Sequence, residues 1–194
     1  IMVGNLKNYT KIDILRCFLR IEKPISRLEL SKILDLGEGT VRGILDILKE
    51  KGFLDSDKNG HYLSDKGNSL ISKIKSSIVI KEAALTNIFP KQKKIAVQIK
   101  NPKHLERAYI LRDIAVKNGA EGAIIIRCGE DKKLKIFDSE YKEDFSEIES
   151  KFDLGYGDLV TVAYADSYRL AEHGALAVAV ELSNDLGYLM SKFK

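Results

Sequence analysis

At 194 residues the chain has room for two small domains or one larger one, and 44% hydrophobic with 31% charged residues is the balance of a globular fold in water. No apolar run approaches the roughly 18 residues that a membrane span needs. No charged-then-apolar leader precedes a small-residue cleavage site either, so a cytoplasmic protein with no membrane partner is expected. The net charge of +4 lies wholly in residues 1–80, with 14 Lys and Arg against 10 Asp and Glu, while the remainder carries 18 of each. A modest excess confined to the first part suits attraction to phosphate there.

Residues 9–21 set Ile12, Leu15, Phe18 and Leu19 on one face of a first helix, which Lys23-Pro24 ends. Pro24, Ile25 and Ser26 read as a short extended link. A second helix over 27–34 turns Leu30, Ile33 and Leu34 inward, and then comes LGEGTVRGILDIL, residues 36–48. There Val41, Ile44, Leu45 and Leu48 recur at i, i+3, i+4 and i+7, which buries one stripe and faces Gly39, Arg42, Gly43 and Asp46 outward. Gly37 permits the turn and stands at the N-cap, so the pair predicts a helix-turn-helix whose second member is the recognition helix, 38–51. FLDSDKNGHYL, from Phe53, predicts a hairpin turning at Asn59-Gly60, and Ser64 caps a fourth helix from Asp65 to about Ser76.

The order helix, helix, turn, helix, hairpin, helix resembles the winged helix-turn-helix family. Carried over from it, the base-reading positions fall on Glu38, Gly39, Thr40, Arg42 and Gly43. Arg27 and the wing residues Lys58, Asn59 and His61 take the phosphate or minor-groove positions. Blander roles stand beside these: Glu38 favours a helix dipole, Thr40 serves as a local cap, and Arg42 is solvated. Asp46 faces the same way and would repel phosphate.

Beyond residue 77 the pattern changes to an extended segment, a turn around residues 90–93 and a strand over 94–99. A helix over 104–118 follows, closed by Gly119, then a hairpin of GAIIIR (122–127) with KLKIF (133–137). An acidic surface helix over 141–151, a strand over 158–164 and a last helix over 167–182 complete the chain. The expected fold class is α+β: a domain at 1–77 followed by one at 78–194, a two-layer α/β sandwich whose mostly antiparallel sheet carries its helices on one side. In the last helix GALAVAV, 174–180, is apolar all round, so two-sided cover is required. Either a homodimer contact through Gly174, Ala175, Ala177 and Val178 or burial within one chain would supply it.

Cys17 and Cys128 lack a CxxC partner and read as buried free thiols. Gly155-Tyr156-Gly157 leads into a strand and reads as a turn, His61, His104 and His173 fall in three different elements, and there is no GK[ST] or HExxH. Glu172-His173 and Arg112-Asp113 are sequence neighbours and do not read as acid-base pairs. No enzyme activity, cofactor or metal is expected.

The stretches LDLGEGTVRGIL (34–45), GHYLSDKG (60–67), AVQIKNP (96–102), LRDIAVKNGAEGAIII (111–126) and GDLVTVAYAD (157–166) look like a group of archaeal proteins. In that group a winged helix precedes a C-terminal domain of unknown function. The resemblance implies a transcription regulator whose second domain is similar in fold to the GAD insert of bacterial aspartyl-tRNA synthetases, with no activity carried over. The expected partner is double-stranded DNA, bound by a homodimer, with the second domain dimerising or sensing an unidentified small-molecule effector. The alternative is an adaptor that uses the winged helix to hold a protein.

Overall fold

The computed structural model describes residues 9–103, 105 and 107–193. The chain forms two compact units, one from residues up to Lys73 with Lys192 and Phe193, the other from Ile74–Ser191.

In the first unit α1, Lys11–Arg20, opens on a reciprocal cap: Thr10 Oγ1 accepts from the Asp13 amide and Asp13 Oδ2 accepts from the Thr10 amide. Such a cap is worth about 1 kcal/mol. Arg16 is buried, and its guanidinium donates to Asp13 Oδ1 and to the Leu34 carbonyl, which ties α1 to the end of α2, Arg27–Leu34. Asp35 leaves that helix in the left-handed region at φ 54°, and Gly37 begins α3, Glu38–Glu50. Leu15, Phe18, Leu30, Leu34, Val41, Ile44 and Leu48 are sealed from solvent, each side chain of this size contributing roughly 1.5–3 kcal/mol on burial. Ile33 differs from expectation, remaining 45% exposed, because the side of α2 that meets the core is the one carrying Leu30 and Leu34. Phe53 closes the core between Phe18 and Phe193, with ring centroids 5.7 and 6.4 Å away.

β1, Leu54–Asp57, pairs with β2, Gly60–Leu63, through a turn at Lys58 and Asn59, one residue earlier than expected. The Asn59 amide donates to Asp57 Oδ1 at 2.7 Å, so the aspartate shapes the turn. Gly60 has φ +125° and lies so close to the link before α2 that a Cβ would sit 2.5 Å from the Ile25 carbonyl oxygen. Ile25 and His61 exchange both backbone hydrogen bonds, at 2.9 and 3.0 Å, which makes the link a third rung of the wing. α4, Asp65–Ser77, starts behind Ser64, whose Oγ accepts from the Gly67 amide.

The second unit is a five-stranded antiparallel sheet in the order β3, Ile78–Glu82; β4, Lys93–Ile99; β7, Leu159–Ala165; β5, Gly122–Cys128; β6, Leu134–Ile136. The fold class is therefore α+β, with α5, Ala108–Lys117, and α7, Tyr168–Leu182, packed on the sheet. The expected start of α5 at His104 lies outside the described residues. The helices do not all share one side. Ala96, Val160, Val162 and Ile126 face a separate core that also holds Phe145, Ile148 and Phe152 from α6, Ser146–Lys151, and its flanks. Residues 94–99 are consequently buried on both faces. The acidic stretch is helical only from Ser146, and a further helix, α8, Asn184–Ser191, follows α7.

The expected subunit contact on α7 is corrected by the packing. Gly174, Ala175, Ala177 and Val178 are all buried within the chain by the sheet, α5 and α8. A Cβ on Gly174 would meet Ala120 Cβ at 2.5 Å and the Ala115 carbonyl at 3.1 Å, so the small residues serve a close helix approach inside the unit. Cys17 and Cys128 are buried free thiols, and burial pushes Cys17 up to about 12.

Candidate nucleic-acid interface

The face of α3 opposite its core stripe runs from Gly39 through Arg42 and Asp46 to Lys49, at i, i+3, i+7 and i+10. Gly39, Arg42 and Asp46 are exposed, and nothing lies within 4 Å of the place a Cβ on Gly39 would occupy. The Gly37 cap brings no side-chain acceptor to the first amides of α3. Lys49 Nζ donates to Ser56 Oγ at 2.9 Å and joins this ridge to the wing.

The remaining candidate residues divide. Arg27 Nε donates to Glu38 Oε2 at 3.2 Å, both side chains being half exposed, so Glu38 is held by its own arginine rather than free to accept from a cytosine. Thr40 is half-buried. Gly43 is turned away from the open ridge, because a Cβ there would meet the Tyr9 ring at 3.4 Å. Lys58 and Asn59 are exposed at the wing tip, beside the exposed Asp55 and Asp57 of β1. His61 is half-buried and its Nδ1 has no hydrogen-bond partner. Burial holds its pKa below the ordinary 6.5, the positive charges of Lys49 and Arg27 add to this, and Asp46 opposes it.

The ridge is thus narrower than the carried-over positions suggested, with Arg42 as its exposed cation and Lys49 as a member that sequence reasoning missed. The helical spacing from Arg42 to Lys49 was the available signal; the bond to Ser56 was not. In the second unit Glu172 and His173 are both buried, while Arg112 and Asp113 are exposed at 3.8 Å. Among the described residues no group of three His, Cys, Asp or Glu side chains is placed to hold a metal ion, and no helix is long and apolar enough to cross a membrane.

Two family models match the chain. Residues 10–69 match one described as PH0730-like, N-terminal domain, and residues 90–182 match a domain of unknown function, DUF4443. The hypothetical protein PH0730 from Pyrococcus horikoshii OT3 superimposes with a TM-score of 0.77 at 27% identity, over 93% of this chain and 99% of that one. Pseudomonas aeruginosa HmgR aligns at 10% identity over 89% of this chain and 97% of that one, with a TM-score of 0.31, too low to carry an argument. No curated protein matches the chain.

Proposed function

We propose that the first unit binds double-stranded DNA and that the protein is a sequence-specific transcriptional regulator. α3 enters the major groove and the wing follows the backbone or the minor groove. The carrying observation is the open ridge of α3, with exposed Arg42, an unobstructed Gly39 and a bare N-terminus, fastened to a hairpin by Lys49 and Ser56. Arg42 has the fork to grip a guanine edge, and the exposed Lys58 at the wing tip, with the half-buried Lys49, offers positive charge for phosphates. A homodimer on two half-sites and a cytoplasmic location go with this reading, and no enzymatic step does. The dimer must use a surface other than the four α7 residues. In this reading the second unit is the one that dimerises or senses a small-molecule effector.

A second reading, an adaptor that holds a protein partner, is favoured by Asp46, Asp55 and Asp57, which share the exposed side chains of the ridge and wing. Selection from a random duplex library with the full chain separates the two. An enriched motif whose guanines depend on Arg42 supports the regulator; no enrichment at low salt, where phosphate attraction is greatest, removes it.

A further inference from the structure

The second unit holds a cleft at the β6 side of β5. β6 is three residues long and pairs only with the C-terminal half of β5, Ile126 with Ile136, Arg127 with Lys135 and Cys128 with Leu134. One more bond, from the Phe137 amide to the Ile125 carbonyl at 2.8 Å, extends that seam. Antiparallel bonding alternates along a strand, so the backbone groups of residues 123, 125 and 127 share this side while those of 122, 124 and 126 turn to β7. The amide and carbonyl of Ala123 therefore lie on an edge that β6 does not reach. A cleft of about 530 Å³ opens there; Arg107, Tyr109 and Arg112 line it from the start of α5, Phe137 and Asp138 from the segment after β6.

Two properties select the occupant. The edge Gly122, Ala123, Ile124 carries none of the lysines or prolines with which sheets blunt a free edge, and although Gly122 and Ala123 are buried, Ala123 and Ile124 line the cleft. Among the described lining residues two arginines, Arg107 and Arg112, face one acid, with Glu121 just outside the edge. Arg107 has no carboxylate partner among the described residues, and Arg112 has only its exposed neighbour Asp113 at 3.8 Å. Asp138, the one acid among the described lining residues, already accepts the Ala108 amide at 3.2 Å. Pairing with a second copy about a two-fold axis would bring the same arginines from both copies to one seam, where like charges repel.

We propose that this cleft binds an extended acidic peptide segment of a partner protein, which adds to β5 as a further strand through Ala123 while Arg107 and Arg112 pair with its carboxylates. Carboxylates at alternate positions of the segment would all face the same side, towards the arginines.

The test uses the full chain and a fluorescein-labelled Glu-Val-Glu-Val-Glu peptide, with Lys-Val-Lys-Val-Lys as control, followed by anisotropy. The acidic peptide is expected to bind and the basic one not to. The double variant Arg107→Ala, Arg112→Ala weakens binding about tenfold. Arg107→Glu with Arg112→Glu exchanges the preference between the two peptides. Ala123→Pro removes the edge amide without touching the β5–β7 bonds, and abolishes binding. Should that variant not fold, hydrogen exchange at the Ala123 amide of the unaltered chain decides, because strand addition slows it. Equal binding of the two peptides, an affinity indifferent to the arginines, or unchanged Ala123 exchange at saturating acidic peptide each overturns the proposal, as does no binding at about 1 mM peptide.

Discussion

The two units use their helices in opposite ways. α3 of the first unit buries Val41, Ile44, Leu45 and Leu48 and leaves Gly39, Arg42 and Asp46 outside, while α7 of the second is buried without a break through its middle, from Ala171 to Ala179. A helix with one dry stripe has a side left over for something beyond the chain; one enclosed by a sheet and two further helices has none. The lesson is that an apolar helix without a polar face signals enclosure, and that the enclosing surface is as readily the same chain as another copy.

The largest expected effect that sharpens this contrast is at the wing. Gly60→Ala forces a side chain into positive φ and against the Ile25 carbonyl, and should cost roughly 3 kcal/mol in urea denaturation, loosening the hairpin beside the ridge. Next is Gly174→Ala, expected to cost about 2 kcal/mol through overpacking against Ala120 while sedimentation stays unchanged. Altered association at full stability would instead give α7 an outer face and break the comparison.

On the open side, Arg42→Ala should cost about 1–2 kcal/mol on a selected duplex and relax the preference for guanine, read by competitive gel shift. Lys58→Ala should weaken all duplexes alike and lower the salt slope by about one unit.

The smallest effect concerns the second unit's loop before β4. Glu147 accepts from the amides of Ala84 and Leu85 and from Lys151. Desolvation by burial works against its ionisation, but those bonds and the Lys151 charge prevail and hold it down to about 2 from an ordinary 4.5. A depressed carboxylate contributes its stability above the unfolded value and loses it as pH falls through the folded one. Glu147→Gln should therefore lower the melting temperature at pH 7, and the gap from the parent chain should close between pH 4.5 and about 2.

Much of this was legible in the residues. The core stripe of α3 and the Ser64 cap follow from spacing and local chemistry, because a helix with one wet side records its own orientation in sequence. The interface was legible only in outline. Nothing local announces that Tyr9 covers Gly43, that Arg27 occupies Glu38, or that Lys49 reaches Ser56, since each joins residues from different elements.

The sequence by itself determined the order of most elements, the stripes of the half-exposed helices and the excess of positive charge in the first part of the chain. Only the tertiary structure decided which surfaces remained available. It covered both faces of the sheet, enclosed α7 within its own unit and stopped β6 short of Ala123. Periodicity records how a segment meets an apolar surface, whereas which surface it meets depends on segments far away in the chain.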